Sequence, residues 1–374
     1  MSSSSEDIQY EDEQPSAAPL SAEQVASFWR DFSARLSALE KLDAREFVEQ
    51  AHEVLAPYTT ELALELEGNP GENGTRLVVT AHGNIAQFEN VQTLVRGAPR
   101  FENYEVRGFR SRTLGADFAM NMNGFSLSCS DVLVAHYDAG GIVGLELSFE
   151  KIIPEDMVEH ARHMAFIMLD HVLGEWDFSV RVGPVEFVDG FSDEVEGAEP
   201  LSVFPPIFDA FQRESLGRTY EFPRDDDDGW ISLEVRPREA DDDAPPDILS
   251  FHDGAHSLAT RADLAHFLSW TFPFDSQESL DAVRDAQDAL EAELERQQRG
   301  ILVFSRVESM TSRTSAYYVE DVDYALQLAK QFGTQHVPGV KGELHVEYDP
   351  SWREFLGLYG AIHASRKAEE GGDE

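Results

Sequence analysis

The chain holds a single cysteine, Cys129, in 374 residues, which excludes an internal disulfide framework and any zinc site built from several cysteines. Positive charge is scarce as well. Against 71 Asp and Glu stand 29 Lys and Arg, giving a formal net charge of −42 and a pI near 4.4. Only 5 of those bases are lysines, so arginine, whose planar fork suits carboxylates, carries most of the positive charge. Such a surface disfavours nucleic-acid phosphates and suits either a high-salt solvent or a basic protein partner. No apolar run approaches the ~20 residues of a membrane-spanning helix. The opening "MSSSSEDIQYEDEQPSAAP" lacks the basic and apolar regions of a secretory signal. A cytoplasmic protein without membrane or nucleic-acid partners is expected, in which the sequon at Asn73 goes unused.

Several catalytic signatures are missing too. The sequence has no GxxxxGK[ST] loop, no GxGxxG after a strand and no GxSxG elbow. Cys129 falls inside an apolar strand pattern, where thiols are buried and inert. Acidic pairs are too numerous for one to stand out as a glycosidase dyad. No catalytic residue and no cofactor is assigned.

What is present is regular patterning. Hydrophobic residues make up 42%, with 24 Phe, enough to fill the cores of two domains. Residues 1–20 have little to bury and read as a disordered acidic tail. Ser21 and Gln24 form a capping box ahead of Val25, Phe28, Trp29, Phe32, Leu36 and Leu39 at helical spacing. Asp43 caps a second helix, stopped at Ala56-Pro57. Strands over 60–67 and 75–81, a helix after Asn84 and a strand over "NYEVRGFR" make a ββαβ unit. The theme recurs through "FSLSCS", "DVLVAHYD", "IVGLELSFE", a helix over 155–173 and a closing strand over "DFSVRVGPVEFVD". These elements define an N-terminal domain at 21–190, followed by an acidic linker at 191–200. A second domain, 201–362, opens with a helix over "FPPIFDAFQRES" and antiparallel strands over "TYEFP", "WISLEVRP" and "DILSFHD". A helix at 277–298 and a ββαβα run compatible with a ferredoxin-like sandwich complete it, before a disordered tail at 363–374. The predicted class is α+β, two domains of antiparallel or mixed sheets packed with helices.

Four constellations are candidate sites. The runs Asp225–Asp228 and Asp241–Asp243 flank one strand pattern, but no calcium-loop register fits them. Counting from Asp225 places Arg236 at the twelfth position, where a glutamate is needed. Solvated turn tips explain both runs, with loose divalent binding as the alternative. His160, His163 and His171 share a face of the long helix. His171 lies ~12 Å along the axis from His163, so only His160 and His163 remain as weak metal candidates. His252 and His256 bracket "HDGAH", where Gly254 argues against the helix that would bring them together. The fourth constellation, Arg107, Arg110 and Arg112, stands out in so acidic a chain. On a strand Arg110 and Arg112 share a face. These three are the candidate anion- or partner-binding residues; the alternative is pairing with local carboxylates such as Glu102 and Glu105.

Two stretches resemble known families. "RLVVTAHGNIAQFENVQTLVRGAPRFENYEVRGFRSR" (76–112) resembles the N-terminal region of uncharacterised bacterial proteins. Residues 250–355, through "ATRADLAHFLSWTFPF", "DALEAELERQQRGILVFSRVES", "SRTSAYYVEDVDYAL" and "VEYDPSWREF", resemble the bacterial family known as domain of unknown function 695. The tail "YYVEDVDYAL … EYDPSW" is also similar to the ribonuclease E activity regulator B family, acidic ferredoxin-like proteins that bind their enzyme partner. The resemblances bring no catalytic residues with them. Together with the charge they imply a non-enzymatic regulator or accessory protein acting through protein–protein contacts. The alternative is a metal-binding protein or hydrolytic enzyme using His160 and His163 or the Asp225–Asp228 run.

Overall fold

A computed structural model describes residues 18–113, 115, 117–192, 195, 197–224, 229–236 and 245–371. Both aspartate runs and nearly all of the N-terminal tail lie outside these residues. Contacts divide the chain into two units, 18–113 with 173–179, and 114–172 with 180–371. The division follows Thr113 rather than the acidic stretch 191–200. Composition suggests a linker there, but the Ser192 N–H donates to Glu146 at 2.9 Å and Glu199–Pro200 join a sheet.

In the first unit, α1 (Ala22–Leu39) starts at the expected capping box. The Gln24 N–H donates to Ser21 Oγ at 3.2 Å and the Ser21 N–H to Gln24 Oε1 at 3.0 Å. Its apolar stripe buries Val25, Phe28, Trp29, Phe32 and Leu39. α2 (Ala44–Leu55) is capped by the Asp43 carboxylate, which accepts from the Glu46 N–H at 2.9 Å. β1 (Ala63–Glu67) and β2 (Thr75–Thr80) form an antiparallel hairpin. α3 (Phe88–Arg96) then returns the chain so that β3 (Tyr104–Gly108) lies parallel to β2. The expected ββαβ unit is present, and the C-terminal ends of β2 and β3 are neighbours.

The second unit opens with a hairpin of β4 (Ala119–Met122) and β5 (Phe125–Ser128). β6 (Val132–Asp138) and β7 (Val143–Phe149) pair antiparallel, and the chain passes through α4 (Val158–Leu173) and then α5 (Glu175–Arg181), whose residues up to Ser179 belong to the first unit. β8 (Val182–Phe187) is parallel to β7, and β9 (Glu199–Pro200) completes the order β8-β7-β6-β9. This is a second ββαβ connection. Residues 177–181, expected to be strand, are helical instead. Glu175 and Asp177 place negative charge in the first turn of α5, where the helix dipole favours it.

After α6 (Phe204–Glu214) the chain builds a six-stranded, wholly antiparallel sheet. Its strands are β10 (Trp230–Val235), β11 (Asp247–His252), β12 (His266–Pro273), β13 (Gly300–Glu308), β14 (Ser312–Val319) and β15 (Glu343–Tyr348), ordered β10-β11-β13-β14-β12-β15. α7 (Gln277–Arg296) links β12 to β13, and α8 (Val322–His336) links β14 to β15, a β-α-β-β-α-β connection. Alternation sorts the side chains. Leu268, Trp270, Leu302, Tyr317 and Val319 pack with α7 and α8, while Phe267, Ile301, Val303 and Tyr318 pack with α9 (Arg353–Gly371) on the other face. The expected strand at "TYEFP" is absent: Tyr220 has φ +58°, and its N–H is taken by the Ser257 carbonyl rather than a neighbouring strand. The tail expected from 363 is helical to Gly371.

The Asp-Pro-x-Trp ending fixes the start of α9. Buried Asp349 accepts from the Tyr318 hydroxyl at 2.6 Å, and Trp352 stacks on the Tyr318 ring at 4.0 Å. The Trp352 indole donates to the Leu264 carbonyl at 2.7 Å. This motif therefore does packing and hydrogen-bonding work in the present fold.

Candidate functional site

In open sheets the C-terminal ends of adjacent parallel strands are where ligands bind. In the first unit that position, at the ends of β2 and β3, is occupied by the protein's own carboxylate. Glu175 is fully buried and accepts four hydrogen bonds. The Thr80 hydroxyl donates at 2.7 Å, and the N–H groups of Ala81, Gly83 and Arg110 donate at 3.0 Å each. The Glu175 N–H in turn donates to the Arg110 carbonyl at 3.1 Å. Four donors fill the acceptor capacity of one carboxylate. The arrangement leaves the carboxyl oxygens no lone pair for base or metal chemistry.

The three arginines surround this region without forming one cationic patch. β3 ends at Gly108 and Phe109 takes φ +67°, so Arg110 and Arg112 do not share a strand face. Arg110 forks onto Glu65, Nε at 3.0 Å and Nη2 at 2.6 Å, and is only 12% exposed. Arg112 pairs with Asp177 and donates from Nε to the Leu173 carbonyl at 2.8 Å. Arg107, the most exposed of the three, meets Glu105 at 2.7 Å.

The other candidates are dispersed. The His160 ring nitrogen Nε2 lies 3.2 Å from the Asn123 amide, and His171 meets the Phe118 ring edge-on. His252 contacts the Leu302 carbonyl at 2.9 Å and stacks on Trp230, whereas His256 stacks on Tyr359. Among the described residues, no group of three or more His, Cys, Asp or Glu is placed to hold a metal ion. Cys129 is fully buried at the start of a 3-10 turn, and burial pushes its thiol up to about 11. No helix among the described residues is long and apolar enough to cross a membrane.

The sequence reading did not single out the outer face of α7. That helix carries Glu278, Asp281, Asp285, Asp288, Glu291, Glu293 and Glu295 against two arginines, Arg284 and Arg296. Leu280, Val283, Ala286, Leu290 and Leu294 are buried on the inner face. At 100° per residue Glu278, Asp281, Asp285 and Asp288 fall on the opposite face, and all four are exposed. Arg284 reaches Asp281 at 3.4 Å, and Arg296 turns to Glu293 at 2.6 Å. Hydrogen bonds from Arg296 and Gln297 hold the Glu293 carboxyl down at about 2. The stripe was legible as charge spacing once the helix phase was fixed by Leu280 and Leu290.

No protein-family model matches the chain, and no curated protein or solved structure matches it either.

Proposed function

We propose that the chain is a cytosolic regulator or accessory protein that acts by protein–protein contact, presenting the acidic face of α7 to a basic partner. The observation that supports this reading is the row Glu278, Asp281, Asp285 and Asp288, exposed on a helix whose other face is anchored in a core. Pairing every Lys and Arg one-for-one would still leave 42 carboxylates uncompensated, so the attraction for a cationic partner is long-ranged. We read the run from β12 to β15 as a ferredoxin-like sandwich. The resemblance read from the tail residues "YYVEDVDYAL … EYDPSW" to the ribonuclease E activity regulator B family is in keeping with a role by contact.

The test compares the full-length chain with a Glu278→Gln, Asp281→Asn, Asp285→Asn variant in capture from native lysate at moderate salt. A basic protein held by the wild type and depleted about tenfold or more by the variant is the expected result. Identical captured sets, or capture of acidic proteins alone, would count against α7 as the docking face.

A further inference from the structure

The two ββαβ connections place a crevice at the same topological position, and the two crevices differ in what fills them. At the ends of β2 and β3 the donors converge on Glu175. The corresponding place in the second unit, where β7 ends at Phe149 and β8 at Phe187, is an open cleft of about 300 Å3. That volume is at the lower end of small-molecule sites.

The lining combines two cations with apolar side chains. Lys151 and Arg162 stand beside Phe149, Phe187, Ile153 and Val158. The Phe149 and Phe187 rings are stacked, with centroids 5.7 Å apart and planes 19° from parallel. Both are only partly buried. The Arg162 guanidinium lies over the Phe187 ring at 5.4 Å. Its carboxylate partner Glu159, at 3.0 Å, has a side chain 81% exposed, so this pair is solvent-screened and weak. Lys151, whose side chain is 40% exposed, donates to the Ser126 carbonyl at 2.6 Å, is 3.9 Å from Asp131 and lies over the Phe125 ring at 5.3 Å. Asp189 is the single carboxylate in the lining. Two cations against one carboxylate in the lining give it a local balance opposite in sign to the chain's net charge of −42.

We infer that the β7–β8 cleft binds a small aromatic carboxylate. The ring lies against Phe149 and Phe187, and the carboxylate meets Lys151 and Arg162, as Glu175 meets its donors in the first unit. The size of the cleft limits the ligand to one ring with short substituents. The guanidinium over Phe187 supplies a planar, forked contact for the carboxylate. This inference does not depend on the docking role of α7.

The experiment is calorimetric titration of the full-length chain in 0.15 M salt, where a Debye length of ~8 Å screens the chain's distant acids. The probes are benzoate, its uncharged counterpart benzamide, and acetate, which has the charge without the ring. Benzoate should bind saturably, with benzamide and acetate each about tenfold weaker or worse. Lys151→Gln and Arg162→Gln, both at solvent-accessible side chains, should each weaken benzoate about tenfold while leaving circular dichroism and melting temperature unchanged. The inference is overturned if benzoate gives no saturable heat, if either control probe binds as tightly, or if both variants bind benzoate like the wild type.

Discussion

Removing the Glu175 carboxylate would strand three backbone N–H groups and a hydroxyl that it now satisfies in a buried position. Unsatisfied buried donors cost about 1–3 kcal/mol each before relaxation, so Glu175→Ala should lower the unfolding free energy by about 4 kcal/mol or more. Arg107→Ala removes only an exposed pair and should change it by about 0.5 kcal/mol or less. Urea melts of the two variants make the comparison, and equal losses would show that the four bonds to Glu175 contribute nothing special. This residue was not legible in the sequence. It is one acid among 71, and its donors lie 65 to 95 positions away. Arg110 and Arg112 were legible as unusual, but their environment was not. A positive φ at Phe109 ends the strand that would have aligned them, and Glu65 and Asp177, distant in sequence, take their charges.

At the scale of elements, the turn between β6 and β7 packs closely against its neighbours. Gly141 has φ +93°, and a Cβ on it would lie 2.8 Å from the Tyr359 ring and 3.0 Å from His256 Nε2. Its carbonyl also accepts from buried Arg218, which donates to the His256 carbonyl at 2.6 Å. Gly141→Ala therefore combines an unfavourable backbone conformation with overpacking, and a loss of about 2–4 kcal/mol is expected. A melting temperature within error of wild type would show that the contact yields freely. The Gly140-Gly141 turn was legible because two strand patterns bracket it; what it packs against was not. Other elements failed for definable reasons. β12, "HFLSWTFP", packs against helices on both faces, so it lacks the alternation of a half-exposed strand and was not identified. "TYEFP" has strand-like residues but no partner strand, and Tyr220 instead lies under the Arg181 guanidinium at 4.7 Å. The helices α1, α2 and α7 were readable because caps and stripes are local signals.

For the molecule as a whole, net charge and buried histidine act on stability in opposite directions as pH falls. With −42 on the chain, carboxylate repulsion at pH 7 is long-ranged in dilute buffer, where the Debye length is ~30 Å at 0.01 M, and short-ranged at ~8 Å in 0.15 M. Raising sodium chloride from about 10 mM to 1 M should therefore raise the melting temperature, the opposite of a fold held by surface ion pairs. Charge alone also suggests that mild acid should help. Asp288 and Glu354 lie at the surface with their carboxyls open to solvent on one side only; partial desolvation on the crowded side first, and neighbouring acids after it, push both up, so each costs some stability at neutral pH, and that cost shrinks as pH falls through the folded pKa. His256 opposes this. Burial, then the nearby Arg218, pushes its imidazole down to about 2, against about 6.5 in an unfolded chain. Below about pH 6.5 the unfolded chain takes up a proton that the folded one refuses, so stability falls by up to about 1.4 kcal/mol per pH unit. His136, lowered by burial, adds to the same slope. At fixed salt the melting temperature should therefore drop between pH 7 and pH 5.5. His256→Gln, which removes the titrating group, should flatten that drop. A rise on acidification in the wild type would mean that carboxylate repulsion outweighs the histidines, and a flat salt series would mean that arginine already neutralises the acids locally.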